Sequence, residues 1–146
     1  MTNQGGVFSA GTGTVTLNGD AAQSISAGGS AFNVLTIENY STGGVTFANR
    51  LITDTLNAGS GVKKLSFSSA SESLPHTVYT TFNVSGSAGN LIDLVATTPG
   101  AIWYIDAPAS SVEYLRVEGS HQADGATITA AYSVDLGDNT NWNITP

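Results

Sequence analysis

The chain of 146 residues contains no cysteine, is only 10% charged and carries a formal net charge of −7, whereas an ordinary globular domain is roughly 25% charged. Disulfides and thiolate metal sites are thereby excluded. The acidic balance, with Arg50, Lys63, Lys64 and Arg116 as the only basic side chains besides histidine, opposes binding to nucleic acid or to anionic membranes.

The length fits a single domain over residues 1–146, with room for a real core. A surface built from Ser, Thr, Asn and Gly suits a secreted or cell-surface protein better than a cytosolic one. The opening Met1-Thr2-Asn3-Gln4 lacks the basic start and apolar run of a signal peptide. Any targeting signal is therefore expected outside this sequence. No stretch has the length and apolarity of a bilayer span, and membrane insertion is not expected.

Apolar residues at spacings of three and four are almost absent, while Thr, Val, Ile and aromatic residues favour strands. The Gly-rich stretch 5–13 reads as an edge or lead-in, 14–17 as a strand, and Asn18-Gly19 as a tight turn. Strands follow at 23–27, 33–39, 44–48, 51–56 and 64–67. Residues 68–76, rich in Ser and holding Glu72 and Pro75, read as an irregular loop. Further strands are expected at 78–84, 91–96, 102–105, 111–117, 127–131 and 141–144, with Pro99-Gly100 and Ala107-Pro108-Ala109 as punctuation.

The order of strand, polar loop and strand recurs, at 33–39 with 44–49 and again at 113–119 with 126–131. Short alternating strands of this kind bury their inward side chains by stacking on the next copy. The expected fold is all-β, a right-handed parallel β-helix or β-solenoid whose coils stack about 4.8 Å apart. Leu35/Ile37, Leu65/Phe67, Trp103/Ile105 and Leu115/Val117 are expected to share one family of inward columns. An antiparallel β-sandwich is the alternative, since strands at spacings of roughly 8 to 12 residues suit it as well.

The stretches 13–26, 32–39 and 44–49, and the closing run from Val112 through Trp142, resemble the repeats of large bacterial surface proteins of the adhesin and filamentous-haemagglutinin type. The resemblance implies a stiff, non-enzymatic structural or adhesive module, a piece of a larger surface protein. Its partners would be neighbouring domains of the same polypeptide and surface glycans. Phage tail fibres share the composition, and a tail-fibre segment or a carbohydrate-binding module is the alternative function.

The candidate sites are few. His76 and His121 fall in expected loops without metal-ligand spacing. Trp103 and Tyr104 are adjacent on a strand, so one of them faces outward, where a flat ring stacks on sugar. Trp103 reads more simply as a core partner of Ile105, and Trp142 as a plug over the last coil. Asp135 and Asp138 flank Gly137. As a carboxylate pair they are the candidate acid and base of a polysaccharide-cleaving β-helix, but they read better as turn formers. No catalytic residue and no obligatory cofactor is expected. Calcium is the one candidate ion, through the side-chain oxygens of Asp135, Asp138, Asn139 and Asn141.

Overall fold

Parallel pairing decides the architecture. The computed structural model describes residues 1–2 and 8–146, so part of the Gly-rich lead-in at 5–13 lies outside the described residues. Within them no helix forms. The first four coils each contribute two strands: β1 Thr14–Gly19 and β2 Gln23–Ile25; β3 Phe32–Asn39 and β4 Val45–Phe47; β5 Ile52–Ala58 and β6 Lys64–Phe67; β7 His76–Val84 and β8 Ile92–Ala96. The next two coils each contribute three: β9 Trp103–Asp106, β10 Ser110–Glu113 and β11 Leu115–Glu118; then β12 Ser120–Gln122, β13 Ile128–Ala131 and β14 Val134–Gly137. A final strand, β15 Trp142–Ile144, begins another turn.

One six-stranded sheet runs β1-β3-β5-β7-β9-β12, a second runs β14-β11-β8-β6-β4-β2, and a third holds β10-β13-β15. Every strand pair among the described residues is parallel. The chain is a β-solenoid of roughly six turns, and the antiparallel sandwich is excluded. The long strand β7 shows how two faces become three. Its first residues pair with β9, His76 with Ile105 and Thr77 with Asp106. Its far end is linked to β10 by Gly86 N–H to Glu113 O and Glu113 N–H to Ser85 Oγ. What is one bent strand in the early coils is two separate strands later.

The inward columns are apolar and continuous. Val45, Leu65, Leu94 and Val117 follow one another in register in the second sheet, and Leu35, Leu56 and Phe82 do so in the first. All seven are buried. The eight expected core residues are buried too, but they do not form one family. Leu35/Ile37 and Trp103/Ile105 belong to the first sheet, whereas Leu65/Phe67 and Leu115/Val117 belong to the second. The two sequence repeats are likewise not equivalent, because the first runs from β3 of the first sheet to β4 of the second, whereas the second runs from β11 of the second sheet through β12 of the first to β13 of the third.

Other boundaries also move. Asn18 and Gly19 continue β1 by pairing with Glu38 and Asn39, so the turn falls after them. The expected strand 111–117 is broken into β10 and β11 at Tyr114, which adopts φ 57°. His76 and His121 are strand residues, in β7 and β12. The short strands β12 and β14 escape the sequence reading because their alternation is too brief and too polar to register.

Corners interrupt the backbone ladder, and side chains from the following coil fill the gaps. Asn49 Oδ1 accepts from Ala27 N–H at 3.1 Å, His76 Nδ1 from Leu51 N–H at 3.0 Å and Gln122 Oε1 from Ala107 N–H at 3.1 Å. Ser133 Oγ accepts from Leu115 N–H at 2.9 Å. Each bond satisfies a main-chain donor that would otherwise be left unpaired at the turn. No buried side-chain nitrogen or oxygen among the described residues lacks a partner. Coil spacing at one corner also demands glycine. Gly44 has φ +63°, and a Cβ there would lie 2.0 Å from Lys64 O.

Candidate functional site

Trp103 and Tyr104 take opposite sides of β9, as alternation requires. Trp103 is fully buried, stacked on Phe67, with Nε1–H donating to Glu118 O at 2.8 Å. Its ring is closed to any ligand. Tyr104 is half-buried and meets the His121 ring edge-on at 5.3 Å, these two being register partners on adjacent coils. Trp142 lies over the last coils, edge-on to Phe82 at 6.4 Å, with its indole N–H donating to Ser120 Oγ.

Asp135 and Asn139 do meet, and they act on the end of the solenoid. Asn139 Nδ2 donates to Val117 O at 2.9 Å and to Asp135 Oδ1 at 2.7 Å, while its Oδ1 accepts from Ser120 N–H at 2.9 Å. Asp135 Oδ1 also accepts from Gly137 N–H. Asn141 is engaged elsewhere, donating to Gln122 O. Asp138 and Asn141 hold left-handed backbone, φ 56° and 60°, as turn-forming Asp and Asn often do. Among the described residues no group of three or more His, Asp or Glu is gathered as a metal would need.

A different carboxyl pair emerges. The Asp106 carboxyl is held above its ordinary range, first by partial burial and then by the charge and hydrogen bond of Asp124, with Arg50 opposing the rise. Arg50 is itself fixed by bonds to Pro75 O and Thr77 Oγ1. The two aspartates are eighteen residues apart, as are Tyr114 and Tyr132, whose rings stack at 5.2 Å with planes within 17°. That common offset is the length of one coil here, and it is the signal by which the sequence would have yielded both pairs.

Three outward features complete the surface. Tyr40 is 57% exposed and shares a shallow cleft of about 460 Å³ with Gly19, Asp20, Glu38 and Ser41. On the second sheet Lys64, Asp93 and Arg116 follow one another in register, and Arg116 grips Asp93 with two hydrogen bonds of 2.5 and 2.8 Å. The first sheet instead presents neutral rows. Thr14, Val34, Thr55 and Thr81 are in register, and beside them Thr16, Thr36, Asn57 and Asn83. No protein-family model matches the chain, and neither the curated proteins nor the solved structures contain a significant match to it.

Proposed function

We propose that the chain is a non-enzymatic, rigid module of a bacterial surface protein, presenting the faces and corners of its solenoid for contact. The observation that carries this reading is the continuity of the parallel ladders through six coils, with corner donors secured by the following coil. Stiffness of that kind suits a stalk or adhesive element, whose neighbours would be further domains of the same polypeptide. A sparsely charged surface suits contact with neutral glycans. A cell-surface location follows from the same composition and from the resemblance to adhesin-type repeats.

A carbohydrate-binding module is the second reading, and the cleft beside Tyr40 favours it. An exposed ring next to Asp20, Glu38 and Ser41 combines a stacking face with hydrogen-bond acceptors. The experiment is a screen of the folded protein against surface polysaccharides, with Tyr40→Ala beside it and reducing-sugar release measured in the same wells. Binding lost in Tyr40→Ala supports recognition, and no binding at all supports a spacer. Sugar release that disappears in Asp106→Asn would overturn the non-enzymatic reading.

A further inference from the structure

The neutral strip on the first sheet is regular in two directions. Along the stack its members repeat at the strand spacing of about 4.8 Å, and across the strand the two rows stand about 6.6 Å apart, twice the rise per residue. Register is kept where it is most at risk. The irregularity in β7 falls between the partners of Thr53 and Thr55. Thr80 and Tyr79, whose ring is exposed, stand opposite Asp54 there at the border of the strip, and Thr55 still meets Thr81 and Asn57 still meets Asn83. In the third sheet Ser111, Thr129 and Asn143 are in register as a further neutral row.

No charged and no aromatic residue occupies these positions, in a chain of net charge −7. Charges begin only at the borders, with Asp54 beside Thr55, Glu38 beyond Thr36 and Glu113 beyond Ser111. The strip is also stiff. Thr and Val have restricted χ1, the side chains are short, and Asn83 Nδ2–H reaches Asn57 Oδ1 at 3.3 Å. Little rotamer entropy remains to be lost on contact.

We propose that this strip binds ice. A regular run of hydroxyl, amide and methyl groups with a fixed two-dimensional repeat matches a partner that is itself a rigid, neutral lattice. The oxygens of an ice surface repeat on the same scale in two directions. A sugar chain is the poorer fit, because the strip itself holds neither an aromatic face nor a groove, and the exposed ring of Tyr79 stands only at its border. The inference depends on the fold and register alone, so it survives or fails independently of the surface-protein reading.

The test is partition of the purified protein into a slowly grown ice hemisphere, with ice-recrystallisation inhibition as a second readout. Serum albumin is the excluded control. The wild-type chain and Thr46→Tyr, altered on the second sheet, are expected to enter the ice. Thr36→Tyr, which raises a ring from the middle of the strip, is expected to be left in the liquid at the level of albumin while keeping the wild-type circular dichroism spectrum. Should Thr36→Tyr fail to fold, Thr16→Tyr at the exposed strand β1 takes its place. Exclusion of the wild-type protein, equal partition of the strip variant, or adsorption to neutral polysaccharide without adsorption to ice would each overturn the proposal.

Discussion

The indole of Trp103 lies flat on the ring of Phe67, with centroids 4.1 Å apart and planes within 3° of parallel. Trp103 comes from the first sheet and Phe67 from the second, so this contact ties the two walls across the core. Phe67 is also 5.1 Å from the ring of Phe47, its register partner one coil away. Trp103→Ala is expected to lower stability by about 3 to 5 kcal/mol through the lost ring and the cavity left behind. Trp103→Phe keeps a stacking ring but strands Glu118 O, and should fall between the two. Urea unfolding followed by circular dichroism measures both, and equal stability of Trp103→Ala and wild type would refute the packing role.

Leu35 and Leu115 test the two walls separately, because they lie in the first and second sheets and both are fully buried. Each change to Ala should cost about 2 to 5 kcal/mol. Since the side chains sit in separate columns, the double variant should be close to additive. A loss under about half a kcal/mol at both, the size of an ordinary surface substitution, would contradict the assigned register.

His76 links stability to pH. Its Nδ1 accepts from Leu51 N–H, and its Nε2 lies 2.8 Å from Ser68 O, to which it donates. The first bond requires Nδ1 to be unprotonated and hence the neutral ring, whereas Nε2–H donates to Ser68 O in either state. Burial lowers its pKa below the ordinary 6.5, the Ser68 bond partly offsets this, and the charge of Arg50 adds to the lowering. The unfolded chain therefore binds the proton more readily than the folded one. This contribution is fully present above about pH 6.5 and is lost as pH falls from there toward the folded-state pKa, by at most about 1.4 kcal/mol per unit. Urea midpoints at pH 7.5 and 5.5 should differ in the wild type, and His76→Gln should shrink that difference. An unchanged difference would remove His76 as its source.

At the other end of the molecule, Asn139→Ala leaves Val117 O and Ser120 N–H without their side-chain partner and should cost about 1 to 3 kcal/mol. Asn139→Asp keeps the acceptor for Ser120 but loses the donor to Val117 and meets Asp135, so it should be no better. The same geometry bears on calcium. Asp135 Oδ1 and Asn139 Oδ1 already accept internal hydrogen bonds, and the melting temperature is expected to be the same in EDTA and in millimolar calcium. A clear rise with calcium would show a bound ion and revise the capping assignment.

The strands and their inward residues are legible because alternation is a local signal: it marks β6 at its observed bounds, and Leu35, Leu65, Phe67 and Leu115 as buried. Phase was not legible. Which face a strand joins depends on loop lengths that vary from coil to coil, so Leu35 and Leu65 were grouped together although they sit in different sheets. His76 was misread for a similar reason. A histidine after Ser-rich sequence and Pro75 looks like a loop residue, and only the neighbouring coil reveals the Leu51 N–H that it serves. The Asp106–Asp124 pair and the Thr/Asn strip are relations between coils, absent from any single stretch of sequence.

One inward column of the second sheet reads Gln23, Val45, Leu65, Leu94, Val117, Asp135. It is apolar through the middle and polar at both extremes, where Asn39 donates to Gln23 and Asn139 to Asp135. An apolar column left open at its tip would template further strands, as fibril ends do. Here the column carries its own full stops, and neither of its tips offers a greasy side chain on which like chains could stack.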